Sequence, residues 1–176
     1  MVMTGFEIKP LPYDNIHIAQ LRDLLVETVA SGGSVSFMHP LEPETAEAFW
    51  EGAMNSAQSG ERIILGAFDG EKLAGTVSLV LVQTANQPHR AEISKLMTSV
   101  SCRGRGVATL LMQAAEALAL QHGRTHLMLD TASDSLAVSV YERLGFKRVG
   151  EVPDFALDPF GTLTGTIYFW KDLKSV

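Results

Sequence analysis

Apolar side chains recur at helical spacing in some stretches of the chain and at strand spacing in others. Residues 15–30 repeat leucine, isoleucine and valine at the spacing of one helix face, and the glycines at 32–33 end this helix. Short runs of β-branched and aromatic residues between turn residues predict strands elsewhere. The predicted strands are 6–10, 62–68, 73–82, 91–100, 125–130, 146–150 and 164–170, and the predicted helices are 15–30, 43–60, 107–122 and 135–144.

Three of these strands follow one another with only short breaks between them. Asp69-Gly70 is a strong hairpin signal, and residues 86–89 break the chain before the third strand, so an antiparallel meander is predicted. The helix at 107–122 then leads to the strand at 125–130, which is typical of a βαβ unit with parallel strands. We therefore predict a mixed α/β fold whose central sheet is antiparallel in its first half and parallel around the βαβ unit.

Length and composition indicate one folded domain, residues 1–176. A chain of 176 residues lies in the usual range for one domain. With 46% hydrophobic and 19% charged residues, the chain has the composition of a globular protein and not of a disordered one. The connection at 153–165 is long for a loop, and long loops are often functional.

The charge balance and the rare residue types exclude several classes of partner. A formal net charge of −6 would repel a phosphate backbone, so we expect no nucleic acid, and any anionic ligand needs a local basic cluster. No apolar run approaches the roughly 18 residues that span a bilayer, so no membrane contact and a cytoplasmic location are expected. Cys102 is the only cysteine, which excludes an internal disulfide, and the five histidines lack the spacing of metal ligands. We expect no metal.

The most informative segment is residues 103–109, between a strand and a strong helix. Two glycines at a helix N-terminus leave backbone N–H groups open to a pyrophosphate, and Arg103 and Arg105 add positive charge. Two other interpretations stay open: a helix start that needs glycines for tight contacts, and a dinucleotide-binding loop with Asp130 on the ribose. Thr109 in place of the third glycine, and the preceding meander, argue against the dinucleotide loop.

The segment resembles the acetyl-CoA-binding motif of the GNAT superfamily of N-acetyltransferases, whose pattern Arg/Gln-x-x-Gly-x-Gly/Ala is met by Arg103, Gly106 and Ala108. Residues 141–146 resemble the family's second motif, and the predicted element order is also the family's. The resemblance implies the GNAT fold and acetyl-CoA as co-substrate. Asp134 stands where many members have an asparagine, and an ionised carboxylate cannot donate that residue's hydrogen bond. The implied cofactor-binding residues are Leu96, Met97, Thr98, Arg103, Gly104, Arg105, Gly106, Val107, Ala108, Thr109 and Asp134.

The chain is also similar to the tabtoxin-resistance acetyltransferases, which modify the amine of a β-lactam-containing plant toxin. This similarity is carried by short fragments at 27–29, 33–35, 37–38, 90–92, 95–97, 129–131, 148–151 and 166–169. It implies that Glu92 and Asp130 act in proton removal and acceptor binding. It also implies a small-molecule amine as acceptor, such as an amino acid, a dipeptide or a β-lactam toxin, acetylated directly in a ternary complex.

Acetyl transfer to an amine needs a base, an acid and a site for the oxyanion. An alkyl amine has a pKa of about 10, so we favour Glu92 as the base, acting through a water, with Asp130 as its partner. Their other interpretation is a solvated carboxylate at a strand end. The resemblance makes Tyr141 the general acid and the backbone N–H of Met97 the oxyanion donor. Strict alternation puts Glu92 and Met97 on opposite faces, so a β-bulge between them is predicted if both face the acetyl group.

Phe37 and Met38 are the predicted lining of the acceptor pocket, next to the glycine loop at 31–34. Two other functions stay open. Acetylation of a protein or peptide would need an open groove, whereas a small-molecule enzyme should have a pocket roofed by this loop. A GNAT fold can also serve as a non-catalytic acyl-CoA sensor.

One structural observation would weaken the hypothesis that the chain is an enzyme. A Glu92 that is buried and paired with Lys95 or Arg90, away from the cofactor, would count against an enzyme.

The strand at 164–170 is apolar and would make a poor free edge, so we expect it to be covered, with a homodimer as one means.

Overall fold

A computed structural model describes residues 5–174, and a central β-sheet organises it. The strands are β1 (Glu7–Pro10), β2 (Arg62–Asp69), β3 (Lys72–Leu81), β4 (Arg90–Thr98), β5 (His126–Ala132), β6 (Lys147–Leu157) and β7 (Leu163–Asp172). The helices are α1 (Asn15–Ala30), α2 (Pro43–Gln58), α3 (Val107–Gln121) and α4 (Ala137–Arg143), with a short 3-10 turn at Val100–Cys102.

The sheet is mixed, with the strand order β1-β2-β3-β4-β5-β7-β6. Neighbouring strands are antiparallel except β4 and β5, which run parallel because α3 crosses over between them. This arrangement confirms the predicted mixed α/β fold, with its antiparallel first half and its βαβ unit.

The helices bury two separate apolar clusters against the sheet. One contains Leu21 and Leu25 of α1 together with Trp50 of α2, all fully buried. The other contains Leu111 of α3 and Phe169 of β7. The helices α1, α2 and α3 therefore cover the sheet with their apolar faces, as their sequence periodicity predicts.

The C-terminal part of the sheet differs from the prediction. Residues 153–157, predicted as part of a long connection, continue β6, so only residues 158–162 join it to β7. β7 pairs with β5 on one side and with β6 on the other, which makes it an internal strand. The apolar strand is therefore covered by the chain itself, and the edge argument for a homodimer no longer applies to it. The expectation that this strand is covered is therefore confirmed, whereas the predicted bounds of the connection, 153–165, are wrong, because local sequence pattern does not encode which distant segments pair in a sheet.

A β-bulge interrupts β4 in front of the candidate site. The register pairs Val80 with Glu92, Ser78 with Ser94 and Thr76 with Met97, so one residue more than alternation allows separates the last two pairs. Lys95, inside the bulge, has a left-handed φ of 52°. The bulge places Glu92 and Met97 on the same face of the sheet, and the predicted bulge is confirmed.

Gly75 of β3 lies where β4 and α3 leave no room for a side chain. A Cβ there would stand 2.7 Å from the Met97 carbonyl oxygen and 2.8 Å from Val107 Cγ1. Because protein interiors are close-packed, we expect Gly75→Ala to lower the free energy of unfolding by about 2 kcal/mol, measured by urea denaturation.

Gly52, an exposed position inside α2, is the matched control for this substitution. A Cβ at Gly52 would have no neighbour within 4 Å. Gly52→Ala should therefore raise the free energy of unfolding by about 0.5–1 kcal/mol, since alanine is the better helix former. We expect the two alanine substitutions to change the free energy of unfolding in opposite directions. An unchanged stability of Gly75→Ala would contradict the steric argument.

Candidate active site

β4 and β5 separate at the centre of the sheet and open a cleft. They pair in parallel from Arg90 opposite His126 to Glu92 opposite Met128, and the pairing stops there. The cleft has a volume of about 780 Å³. Its walls are the loop 31–36, the second half of β4, the segment 102–109, the end of β5, the segment from Asp134 to Arg143, and residues 155–158 and 164–166 of the β6–β7 hairpin.

The N-terminus of α3 forms one end of the cleft and is suited to an anion. Gly104 and Gly106 have φ values of 74° and 82°, which favour glycine, and a Cβ on either would meet nothing within 4 Å. No side chain caps the helix, so its first N–H groups remain available. The Arg103 guanidinium lines the same cleft and donates to Ser31 Oγ at 2.8 Å. Residues 103–109 can thus bind a pyrophosphate through backbone N–H groups and one arginine.

The side chain of Arg105 lies elsewhere. It donates to the Asp69 carboxylate at 3.3 Å and lies 4.6 Å from the centre of the Phe6 ring, and it is absent from the cleft wall. We call residues 103–109 the anion cradle. The sequence prediction that the Arg105 side chain belongs to this cradle is wrong, because Asp69 and Phe6 hold it near β1 and β2. The other predicted cofactor-binding residues all line the cleft, and they are Leu96, Met97, Thr98, Arg103, Gly104, Gly106, Val107, Ala108, Thr109 and Asp134.

The free edge of β4 forms the inner wall. Beyond Glu92 the strand pairs only with β3, so the backbone groups of Leu96 to Thr98 on the other edge have no strand partner. An unpaired strand edge can accept an extended, amide-containing ligand as an added strand. The bulge around Lys95 turns this edge where the strands separate.

Tyr141 of α4 reaches the cleft from the α3 side of the sheet. Its side chain is only 5% exposed, and its ring lies 5.9 Å from the rings of both Phe146 and Phe169. Burial, followed by the nearby charge of Asp130, raises the pKa of the Tyr141 phenol well above its ordinary value of 10.0. The hydroxyl therefore stays protonated across the neutral and mildly alkaline range, as a proton donor requires.

The carboxylates predicted to act on the acceptor have different surroundings. Asp130, at the end of β5, lines the cleft and accepts a hydrogen bond from Thr166 Oγ1 at 3.2 Å. Glu92 is absent from the cleft wall, and its carboxylate pairs with Arg90 Nη2 at 3.1 Å. The Glu92 side chain is 52% exposed, so the pair is solvated and not a buried one. Of the three conditions that together would count against an enzyme, pairing with Arg90 and a position outside the cleft wall are met, and burial is not.

Phe37 and Met38 do not line the cleft, so their predicted role in the acceptor pocket is wrong. The Phe37 ring contacts the Phe49 ring at 5.3 Å and packs on the α1–α2 apolar cluster, and Met38 is partly exposed outside the cleft. The preceding residues Val35 and Ser36 line it instead. A shift of this kind follows from loop geometry, which residue type alone does not specify.

The β6–β7 hairpin contributes a second wall that the sequence did not predict, although it marked residues 153–165 as a long and therefore functional type of connection. Phe155 and Leu157 line the cleft from β6. The turn beyond them contacts the chain that continues from the glycine loop, since His39 N donates to the Pro159 carbonyl oxygen at 2.8 Å and the His39 and Phe160 rings lie 5.4 Å apart. These contacts join the two loops that flank the cleft.

The structure supplies neither a metal-binding cluster nor a membrane span within the part it describes. No three His, Cys, Asp or Glu side chains among residues 5–174 are grouped to hold a metal ion. No helix in the same range has both the length and the apolar character to cross a bilayer.

Comparison with known proteins gives a consistent family and fold. A sequence model of the acetyltransferase (GNAT) family matches residues 21–146. N-acetylaspartate synthetase of Danio rerio is 29% identical over 82 residues, an alignment that covers 46% of this chain and only 29% of that relative. Among solved structures, an N-acetyltransferase of Staphylococcus aureus Mu50 has a TM-score of 0.79 at 16% identity, over 96% of this chain and 98% of that one. A Salmonella typhimurium protein solved with its cofactor acetyl-CoA has a TM-score of 0.77 at 15% identity, over 98% and 96%.

Proposed function

The chain belongs to the acetyltransferase (GNAT) family, and we propose that it transfers the acetyl group of acetyl-CoA to a primary amine of a small molecule. Acetyl-CoA supplies an activated thioester, and the amine attacks it directly while both are bound. One observation carries the proposal: the uncapped N-terminus of α3, the unpaired edge of β4 and the buried Tyr141 phenol all face one cleft between β4 and β5.

The residues of the cleft fit an acyl-CoA donor in three places. The open space in front of Gly104 and Gly106 suits the pyrophosphate, with Arg103 beside it. The edge from Leu96 to Thr98 suits the amide-containing arm, and the backbone N–H of Met97 is our candidate for holding the oxyanion. Asp134 also lines the cleft. Because a carboxylate cannot donate the hydrogen bond that an asparagine amide would give to the cofactor, another group must donate it.

Proton transfer is assigned to two side chains, Tyr141 and Glu92, and binding of the amine to a third, Asp130. Tyr141 gives its proton to the departing thiolate, since the phenol is protonated before the reaction; its raised pKa makes it a weaker acid and does not itself promote the transfer. Asp130 lies in the cleft wall and binds the incoming amine. Glu92 shares a face with Met97 and remains solvated, so it accepts the amine proton through a water and passes it to solvent.

The acceptor end favours a small molecule over a protein chain. The loop 31–36 and the β6–β7 hairpin flank the cleft, and the hydrogen bond from His39 N to the Pro159 carbonyl oxygen ties them together. A Cβ on Gly32 would already stand 3.5 Å from Phe160 Cε2, so little space separates the two segments. A roof of this kind obstructs a long peptide and encloses a small amine.

Thiol release from acetyl-CoA, followed with a thiol reagent, tests the proposal across amino acids, dipeptides, β-lactam toxins, polyamines and peptide N-termini. Turnover with a small amine supports it. Turnover with peptide N-termini alone would assign the chain to protein acetylation, and binding of acetyl-CoA without turnover of any amine would assign it to a sensor.

Glu92→Gln tests the proton path with the best acceptor of that panel. We expect kcat to fall about tenfold at neutral pH, because the amide cannot accept the amine proton and only bulk water remains. Glu142→Gln is the matched control, since Glu142 pairs with Arg148 at 3.3 Å at a similar exposure but outside the cleft. Equal rates for both variants would remove Glu92 from the mechanism.

A further inference from the structure

Lys95 occupies an unusual position for a lysine. It stands in the β-bulge of β4 with a left-handed backbone, a conformation that costs of order 1 kcal/mol or more for a residue with a side chain. Its side chain lines the cleft, where Nζ donates to Ser36 Oγ at 3.3 Å and lies 5.5 Å from the centre of the Phe49 ring. The bulge therefore directs an ammonium group toward the loop that encloses the acceptor.

The Lys95 ammonium has no counter-ion in the described part of the chain. Among residues 5–174, no carboxylate lies within 4.0 Å of its Nζ. Burial, followed by the like charge of Arg62, lowers the pKa of Lys95, and only Asp130 opposes this shift. A half-buried cation without a partner is costly, and such cations are normally paired or bind a ligand.

Lys95 and Asp130 present opposite charges to the same cleft. They belong to β4 and β5, the two strands that separate there, and both line the wall. Both residues line one cleft and the charge of Asp130 opposes the lowering of the Lys95 pKa, yet the two groups do not form an ion pair. The gap between them can take a molecule that carries both charges.

We propose that Lys95 binds a carboxylate of the acceptor while Asp130 binds its amine, so that the acceptor is an amino acid or a small molecule with the same zwitterionic head. The inference rests on the function proposed above and specifies its substrate class. A polyamine would leave Lys95 opposite another cation, and an internal peptide segment would leave it without a counter-ion. Lys95 precedes Met97 in β4, whereas the anion cradle at 103–109 follows it, so the acetyl-CoA pyrophosphate has its own site.

Charge recognition by Lys95 can be separated from a purely structural role of its bond to Ser36. If Lys95 only anchors the loop, Ser36→Ala should impair the enzyme as much as Lys95→Met does. Such a loss would also be the same for charged and uncharged acceptors. A carboxylate-binding role predicts instead that the loss depends on the acceptor's charge.

The experiment measures kcat and KM for proteinogenic amino acids, their carboxamides and the diamines that correspond to lysine and ornithine. For carboxylate acceptors we expect Lys95→Met to raise KM roughly 10- to 30-fold with kcat within about threefold, as loss of a hydrogen bond to a charged group predicts. For the carboxamides the same variant should change KM less than about threefold, and Lys95→Arg should retain most of the preference. The acetyl-CoA dissociation constant should stay unchanged.

Lys9→Met is the control, because Lys9 is a half-exposed lysine in β1, at the edge of the sheet and outside the cleft, and pairs with Glu7. It should leave every constant unchanged. Equal losses for acids and carboxamides in Lys95→Met, or a wild-type enzyme that prefers diamines, would overturn the carboxylate assignment while leaving the acetyltransferase intact. Absence of turnover with every amine would instead overturn the proposed function, and this inference with it.

Discussion

Replacement of Tyr141 by phenylalanine is expected to lower kcat by roughly 100- to 1000-fold, the range for loss of a general acid. Phenylalanine keeps the ring and its contacts with Phe146 and Phe169, so only the proton that would go to the CoA thiolate is lost. Thiol release under saturating acetyl-CoA measures the effect, and thermal unfolding checks that the fold is preserved.

The pH profile gives this prediction a second readout. Because burial raises the pKa of Tyr141 above 10.0, the phenol is protonated at every pH below that value and its titration should not appear as an alkaline loss of kcat near neutrality. Tyr13→Phe, which removes a phenol oxygen from an exposed site, is the control and should leave kcat and its pH profile unchanged. A Tyr141→Phe enzyme within threefold of the wild-type rate would exclude Tyr141 as the acid.

Replacement of Gly106 by valine should weaken acetyl-CoA binding by about 100-fold, as expected when charge-assisted hydrogen bonds to a pyrophosphate are lost. Gly106 has a φ of 82°, which a β-branched residue adopts only with strain, and its Cβ would enter the space in front of the N–H groups of α3. Titration calorimetry with acetyl-CoA measures the dissociation constant directly.

Gly123 gives the matched control at the other end of the same helix. Its φ is 69° and a Cβ there would meet nothing within 4 Å, so valine imposes a comparable backbone strain of about 1–3 kcal/mol without touching the cradle. Both variants should lose similar stability, and only Gly106→Val should lose affinity. Comparable affinities in the two variants would mean that residues 103–109 do not bind the cofactor.

Local sequence pattern determined the elements of this protein and identified its candidate anion cradle, residues 103–109. Helical periodicity identified α1 to α4, and Asp69-Gly70 identified the β2–β3 hairpin. The cradle could be recognised because its requirements are local: glycines with positive φ, and a helix that begins immediately after them. The alternation rule predicted the bulge between Glu92 and Met97 only together with the family resemblance, which required both residues to face the acetyl group.

Tertiary structure alone decided which side chains meet in the cleft. The length of β6 and the internal position of β7 depend on pairing between distant segments, and that pairing brought Phe155 and Leu157 to the site. The Arg105 guanidinium donates to the Asp69 carboxylate and the Phe37 ring contacts the Phe49 ring, because the fold brings together residues that are separated in the sequence. Lys95 could not be recognised as a cleft residue from its sequence, since both its direction and its missing counter-ion depend on strand register and burial. Local propensities act over a few residues, whereas the chemistry of this cleft depends on contacts between strands and loops that only the complete fold brings together.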